Sequence, residues 1–292
     1  MVPYNPKQWD RILFSVHGTV LPRTLKRVVF YGGLTAAVWA WNVYGMHLPA
    51  IDPLGHSLLG VALGLLIVFR TNTSYDRYWE GRKLWGQMVT AARNLVRGAA
   101  SAGVDVAELV RLAAAYTVTL KQHLRGNRDF SEIQSLVSES TYAHVTAGSN
   151  PPSVMAFYLS AWIQERLTRK EIDTALSRGL EGCVCTMVEN EGGCERIGKT
   201  PIPFAYAAHL KQMLTVYLLT LPFVLVPKMD VIAILVVAGI TFGLVGIEEA
   251  GVEIENPFGT SPNDLPLEEL CDTITRDTGE LARLSERVSK AA

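Results

Sequence analysis

The side chains able to carry chemistry are six histidines (His17, His47, His56, His123, His144, His209), four cysteines (Cys183, Cys185, Cys194, Cys271) and an acidic group on one segment, Glu189, Glu191 and Glu195. The histidines form no HExxH and no other close metal-ligand pair. Cys183, Cys185 and Cys194 lack the matching Cys/His pair that zinc-finger spacing demands. Nucleophile-elbow, phosphate-loop and dinucleotide-binding patterns are absent too. The expectation is therefore a protein that is not an enzyme, with no metal and no cofactor. The three glutamates read as a solvated or cavity-lining face rather than as paired catalytic carboxylates.

The elements that would position these residues are apolar. Of 292 residues, 49% are hydrophobic and only 19% are charged. Lys+Arg (27) and Asp+Glu (28) nearly cancel, leaving a formal charge of -1. That balance excludes disorder and argues against a nucleic-acid partner, which would want a clear basic excess. Four stretches are long enough, or nearly so, to cross the roughly 30 Å hydrocarbon core at about 1.5 Å per residue. They are Val28 to Ile51, Pro53 to Phe69, Gln212 to Pro227 and Val231 to Ile247. The last two are joined by Lys228-Met229-Asp230 and read as an antiparallel helical hairpin.

Charge sets the orientation. Arg11, Arg23, Lys26 and Arg27 precede the first stretch, and Arg70, Arg77, Arg82, Lys83, Arg93 and Arg97 follow the second. The connection MHLPAIDPLGH has neither Lys nor Arg. The positive-inside rule then places both termini and the long middle segment in the cytoplasm. The expected organisation is an N-terminal segment 1–27, spans 28–70, a helical cytoplasmic domain 71–210, spans 211–247 and a cytoplasmic tail 248–292. Helical spacing recurs at Leu84, Met88, Ala91, Ala92, Leu95 and at Leu109, Leu112, Ala113, Tyr116, Leu120. Alternating Val/Ile/Thr runs are nearly absent, so no sheet is expected. Ser131 is a candidate cap, and Ser149-Asn150-Pro151-Pro152 reads as a loop.

The second stretch runs without a breaker into RTNTSYDRYWEGRKLWGQM, and proline is absent from 54 through 150. One long helix is expected to leave the membrane and enter the cytoplasmic domain. Gly60 and Gly64 form a GxxxG pair, which permits close helix approach. Val61, Leu65 and Phe69 fall at i, i+4, i+8 on one face. Periodicity alone allows two readings of that face. It is either lipid-facing or packed, or, repeated around an axis of identical subunits, an apolar neck about 12 Å long.

Three segments, FRTNTSYDRYWEGRKLWG (Phe69 to Gly86), CERIGKTPIPFAYAAHL (Cys194 to Leu210) and EIENPFGTSPNDLPL (Glu253 to Leu267), resemble the bestrophin family in its bacterial branch. The resemblance implies an all-α membrane protein with four transmembrane helices and a helical cytoplasmic domain per subunit, assembled as a homopentamer around one pore. Anchored on Asp76-Arg77-Tyr78-Trp79, it puts the pore neck at Val61, Leu65 and Phe69. A gapless count back from Ile202-Pro203 puts a second, cytoplasmic aperture at Ala175 or Leu176.

Animal bestrophins follow Asn-Pro-Phe-Gly with an acidic run that clasps calcium. Here Asn256-Pro257-Phe258-Gly259 is followed by Thr260, Ser261, Pro262, Asn263 and only then Asp264. One acid is too few for an ion that takes about six to eight oxygens, so calcium gating is not expected. Glu253 and Glu255 are candidates to hold the tail against the N-terminus. The implied function is passive conduction of monovalent ions, entering by an outer vestibule near His56. Aromatic edges in the neck favour anions, but two of its three positions are aliphatic, which weakens that bias; the resemblance to a bacterial branch that includes cation conductors implies monovalent cations such as Na+, with Glu189, Glu191 and Glu195 adding to the preference where they face the cavity. A chloride channel of the same architecture is the alternative, and a secondary transporter the more distant one.

Overall fold

The computed structural model describes residues 5–45 and 47–291; Met46, in the connection between the first two stretches, lies outside them. Among the described residues all regular structure is helical. In chain order the helices are α1 (Trp9–Leu13), α2 (Leu21–Tyr44), α3 (Leu54–Ser101), α4 (Ala107–Leu124), α5 (Glu139–Ala147), α6 (Pro151–Thr168), α7 (Thr174–Lys199), α8 (Phe204–Met229), α9 (Ile232–Glu253) and α10 (Leu267–Ala291), with one 3₁₀ turn at Ser131–Ile133. Three of them, α3, α8 and α9, are long and apolar enough to cross a membrane. α2 is not among these, because Trp39, Trp41, Asn42 and Tyr44 dilute its apolar content.

The chain divides into two compact units, and the 48-residue α3 contributes to both. The first unit contains α1, α2, α3 as far as Tyr78, α8 and α9. α9 buries a strict i, i+4 stripe, Ala233, Val237, Thr241 and Val245, and packs against α2 and α8. Leu63 and Ile67 of α3 join Tyr31, Leu214, Tyr217, Leu218 and Leu221 in its core. A Cβ on Gly60 would come within 3.0 Å of the Tyr217 hydroxyl, whereas one on Gly64 would meet nothing within 4 Å. Within one chain the GxxxG pair therefore acts through Gly60 alone. The α8–α9 turn is tighter than the expected three-residue linker: Lys228 and Met229 lie inside α8, and only Asp230 and Val231 separate the two helices. Asp230 takes positive φ (51°) and accepts a hydrogen bond from Trp39 Nε1 at 2.5 Å.

The second unit contains α3 from Trp79, α4 to α7, residues 257–260 and α10. α4 is its axis. Every residue from Leu112 to Gln122 is buried, not only the one face the spacing picks out. Its small side chains Ala113, Ala114 and Ala115 let α6, α7 and α10 surround it. Thr117 and Thr119 return their hydroxyls to the backbone of α4 itself, which satisfies them without a partner helix. Caps explain the short elements. Ser138, Asn150 and Asp173 accept from the first-turn amides of α5, α6 and α7. Pro151 and Pro152 thus start a helix rather than extend a loop, since Pro is preorganised for the first turn. At the 3₁₀ turn Ser131 is capped, not capping, because its amide donates to Asp129 Oδ1.

The tail from Leu265 belongs to this unit. Arg125 at the end of α4 donates to both carboxylate oxygens of Glu268, in the first turn of α10. Those hydrogen bonds hold the Glu268 carboxyl down to about 2. A depressed carboxyl stabilises the fold above its unfolded value and loses that contribution as pH falls toward its folded value. Stability should therefore decline between about pH 4 and 2, modestly, because the carboxylate is half-exposed and screened by water. Glu268→Gln should flatten that limb of an acid-unfolding curve followed by circular dichroism.

Candidate functional site

The stripe at Val61, Leu65 and Phe69 is generated by α3 in the first unit. All three side chains are exposed on the single chain, at 66%, 55% and 62%. The alternate positions Leu63 and Ile67 are 0% and 2% exposed. α3 thus spends one face on its own subunit and leaves the other, two helical turns long, unpartnered. The stripe is not sealed inside the subunit. The orientation is pinned from the packed side. Tyr206 donates to the Leu66 carbonyl at 3.0 Å, and His56 lies 2.9 Å from Thr220 Oγ1 with its ring beside Tyr217. His56 is therefore half-buried and tied to α8.

Immediately after the stripe the chemistry changes. Arg70 is 2% exposed, and its Nη2 donates to Glu255 Oε2 at 3.0 Å. Its Nη1 reaches the Glu248 carbonyl at 3.5 Å. Glu255 also accepts from the Ile202 amide at 3.1 Å, and its carbonyl accepts from Arg77 Nε at 3.0 Å. One carboxylate thus ties α3 and the start of the third apolar segment to the end of α9. Gly251 makes room for it, since a Cβ there would come within 2.9 Å of Arg70 Nη1. Sequence reasoning missed this role and counted Arg70 only as an inside-positive residue. The available signal was an arginine abutting an apolar run, which needs a fixed acceptor if it is enclosed. Of the two acids expected to hold the N-terminal region, Glu253 does so by pairing with Arg23. Glu255 does not, because Arg70 takes it. Asp264 accepts from the Ser261 amide at 2.6 Å, closing its own loop.

Ala175 and Leu176 lie in the first turn of α7, in the second unit. Ala175 is exposed and Leu176 half-buried, with its amide bonded to the Asp173 cap at 2.7 Å.

The three glutamates are not one cluster. Only Glu189 is exposed. Glu191 is 2% exposed and accepts from Tyr116 Oη and Ser153 Oγ, each at 2.8 Å. Burial raises its pKa above the ordinary carboxyl range, against the opposing pull of those two bonds. Glu195 accepts from His123 and Asn150 through one oxygen and from Lys199 through the other. Burial would raise it, but the bonds from Lys199 and His123 outweigh that and hold it low. The physical reason is helical phase: 191 and 195 share the face of α7 that packs inward, and 189 is rotated away from it. Glu191, enclosed, and Glu195, half-buried, thus tie α4, α6 and α7 to one another within the unit, and only Glu189 is left facing outward. Tyr116→Phe should cost about 1–3 kcal/mol, because it leaves the enclosed Glu191 oxygen without its donor. Thermal unfolding of the purified protein measures this, and an unchanged midpoint would refute the tie. The buried thiols are inert. Burial pushes Cys194 and Cys271 up to about 12, so neither is a thiolate at neutral pH.

The family model described as "Bacterial/Fungal Bestrophin protein" matches residues 1–280. A voltage-dependent anion channel-forming protein of Nostoc sp. is 39% identical over 294 residues, covering 97% of this chain and 94% of its own. One of Synechocystis sp. is 38% identical over 289 residues, covering 96% and 94%. The crystal structure of a bacterial bestrophin homologue from Klebsiella pneumoniae superposes with a TM-score of 0.82 at 26% identity, covering 88% of this chain and 98% of that one. With an all-helical fold, membrane-length apolar helices and a family match over nearly its whole length, this chain belongs to the bacterial branch of the bestrophin family.

Proposed function

We propose that this chain is a passive channel for monovalent ions, assembled as a homopentamer whose five α3 helices meet at a central axis. The observation that carries the reading is the exposed stripe Val61, Leu65 and Phe69 beside the buried Leu63 and Ile67. Such a face needs a cover, and a ring of identical copies supplies one while leaving a narrow apolar neck. In this reading α2, the first part of α3, α8 and α9 are four spans of a bacterial inner membrane. The lysines and arginines that flank them put both termini in the cytoplasm. His56 stands near the outer mouth. Ala175 and Leu176 form a second aperture on the cytoplasmic side, and if alanine alone lined it that aperture would be wide. The protein moves ions down their gradient and catalyses no reaction.

The sign of the ion has two readings. The exposed Glu189 favours a cation such as Na+, and the two aliphatic neck positions weaken the opposing bias of aromatic edges. The burial of Glu191 and the pairing of Glu195 remove most of the acidic support for it. The aromatic edges of Phe69 and the names of the Nostoc and Synechocystis relatives favour an anion such as chloride. Single-channel recording of purified protein in planar bilayers tests both levels. Discrete conductance steps are expected; saturable flux without steps would mean a carrier instead. In an NaCl gradient the reversal potential moves toward the Na+ or the Cl- equilibrium value and decides the sign.

A further inference from the structure

Lys26 and Arg27 of α2 and Lys211 of α8 stand around one cavity of about 310 Å³, completed by Val245 and Glu248 of α9. That volume is at the lower end of ligand pockets, roughly 300–1,000 Å³. Each helix presents its chemistry in the same order. On α2 the cations are followed, one turn on, by Phe30. On α8 Lys211 is followed by Leu214 and Leu218. On α9, which runs the opposite way to α8, Val245 comes before Glu248. Residues three or four apart share a helix face. The charged groups therefore gather at one end of the cavity and the apolar groups at the other.

The charges are only partly committed. Arg27 is paired with Glu249. Glu248 Oε1 is enclosed without a hydrogen-bond partner, and Lys211 Nζ stands 3.8 Å from it, too far to give up a donor. Glu248 thus holds the Lys211 ammonium over the cavity while leaving its N–H groups free. Lys26 is exposed, and no ion pair among the described residues engages it. Three cations against Glu248 and Glu249 leave one positive charge in excess. Phe30, at the apolar end, is 60% exposed.

We propose that this cavity binds an anionic phospholipid, with its phosphate between Lys26 and Lys211 and an acyl chain along Phe30, Leu214 and Leu218. A free phosphate would satisfy the cations and leave the apolar half uncovered; a lipid fills both. The proposal rests on α2, α8 and α9 spanning the bilayer, as in the proposed function, but not on conduction.

The test uses the full chain in mild detergent, offered equal phosphatidylglycerol and phosphatidylethanolamine, with retained lipid measured by native mass spectrometry. Preferential retention of phosphatidylglycerol is expected. Lys26→Ala with Lys211→Ala should lower it about thirtyfold, since each juxtamembrane cation contributes about 1 kcal/mol to anionic-lipid attraction. Lys26→Arg with Lys211→Arg should restore it, and Lys228→Ala, at the far end of α8, should leave it unchanged. Equal retention of the two lipids, or an unaffected double alanine variant, overturns the proposal. Displacement of phosphatidylglycerol by millimolar inorganic phosphate overturns the lipid in favour of a soluble anion. Retention of phosphatidylglycerol by a protein that gives no conductance steps refutes the channel reading alone. Conductance steps without lipid preference refute this proposal alone.

Discussion

Replacing Leu65 and Phe69 together by alanine is expected to raise single-channel conductance at least about twofold, because an apolar constriction resists ions by dewetting and partial dehydration and both fall as it widens. Stability of the individual subunit should move little, by about 0.5–1 kcal/mol, since both side chains are mostly exposed there. The contrasting substitution is Leu63→Ala, two residues from Leu65 on the packed face and fully buried. It should cost about 2–5 kcal/mol through the cavity it leaves and should act on conductance only by lowering the amount of folded protein. Recordings at matched protein density separate the two outcomes. If the double variant conducts like the wild type, Val61, Leu65 and Phe69 do not line the ion path.

The second large effect is expected at Arg70 and Glu255. Glu255→Ala should destabilise the protein by about 3–5 kcal/mol, because it strands an arginine that is almost wholly enclosed. It also removes the acceptor of the Ile202 amide. The pair itself contributes less than that figure, since charge desolvation offsets much of the attraction. The replacement Arg70→Met with Glu255→Leu should therefore recover a substantial part of the loss. A double-mutant cycle on thermal unfolding in detergent reads the coupling directly. Strictly additive single variants would mean that Arg70 and Glu255 do not act as a unit. Glu255 follows the last apolar helix and immediately precedes Asn256-Pro257-Phe258-Gly259. The cycle thus also reports whether the segment leading into that motif is held from the α3 side.

Local rules carried far in this chain where one partner dominates each element. Unbroken apolar runs, the short polar break around Asp230 and the absence of proline from 54 through 150 were enough to anticipate the hairpin and the single long α3. The i, i+4, i+8 spacing selected Val61, Leu65 and Phe69 as one face, but spacing is symmetric in what it permits. It could not say whether that face or the one bearing Leu63 and Ile67 is internal, because both are apolar. Packing against Tyr217 and the close approach at Gly60 decided it.

The acids were the harder case. Glu189, Glu191 and Glu195 lie close together on α7 and are alike in chemistry, yet a rotation of two residues separates the exposed Glu189 from the enclosed Glu191. Whether Glu191 is a solvated charge depends on Tyr116 and Ser153, which come from other helices. Arg70 is the same lesson in reverse, a residue that local pattern assigns to an interface and that Glu255, 185 positions later, draws inside. From order and hydropathy alone the chain declares its long helices and its apolar stripe, because these depend on neighbours within a few turns. Burial of a charge depends on acceptors brought from distant parts of the chain, and only the folded arrangement of α3, α4, α6, α7 and α9 determines which of them arrive.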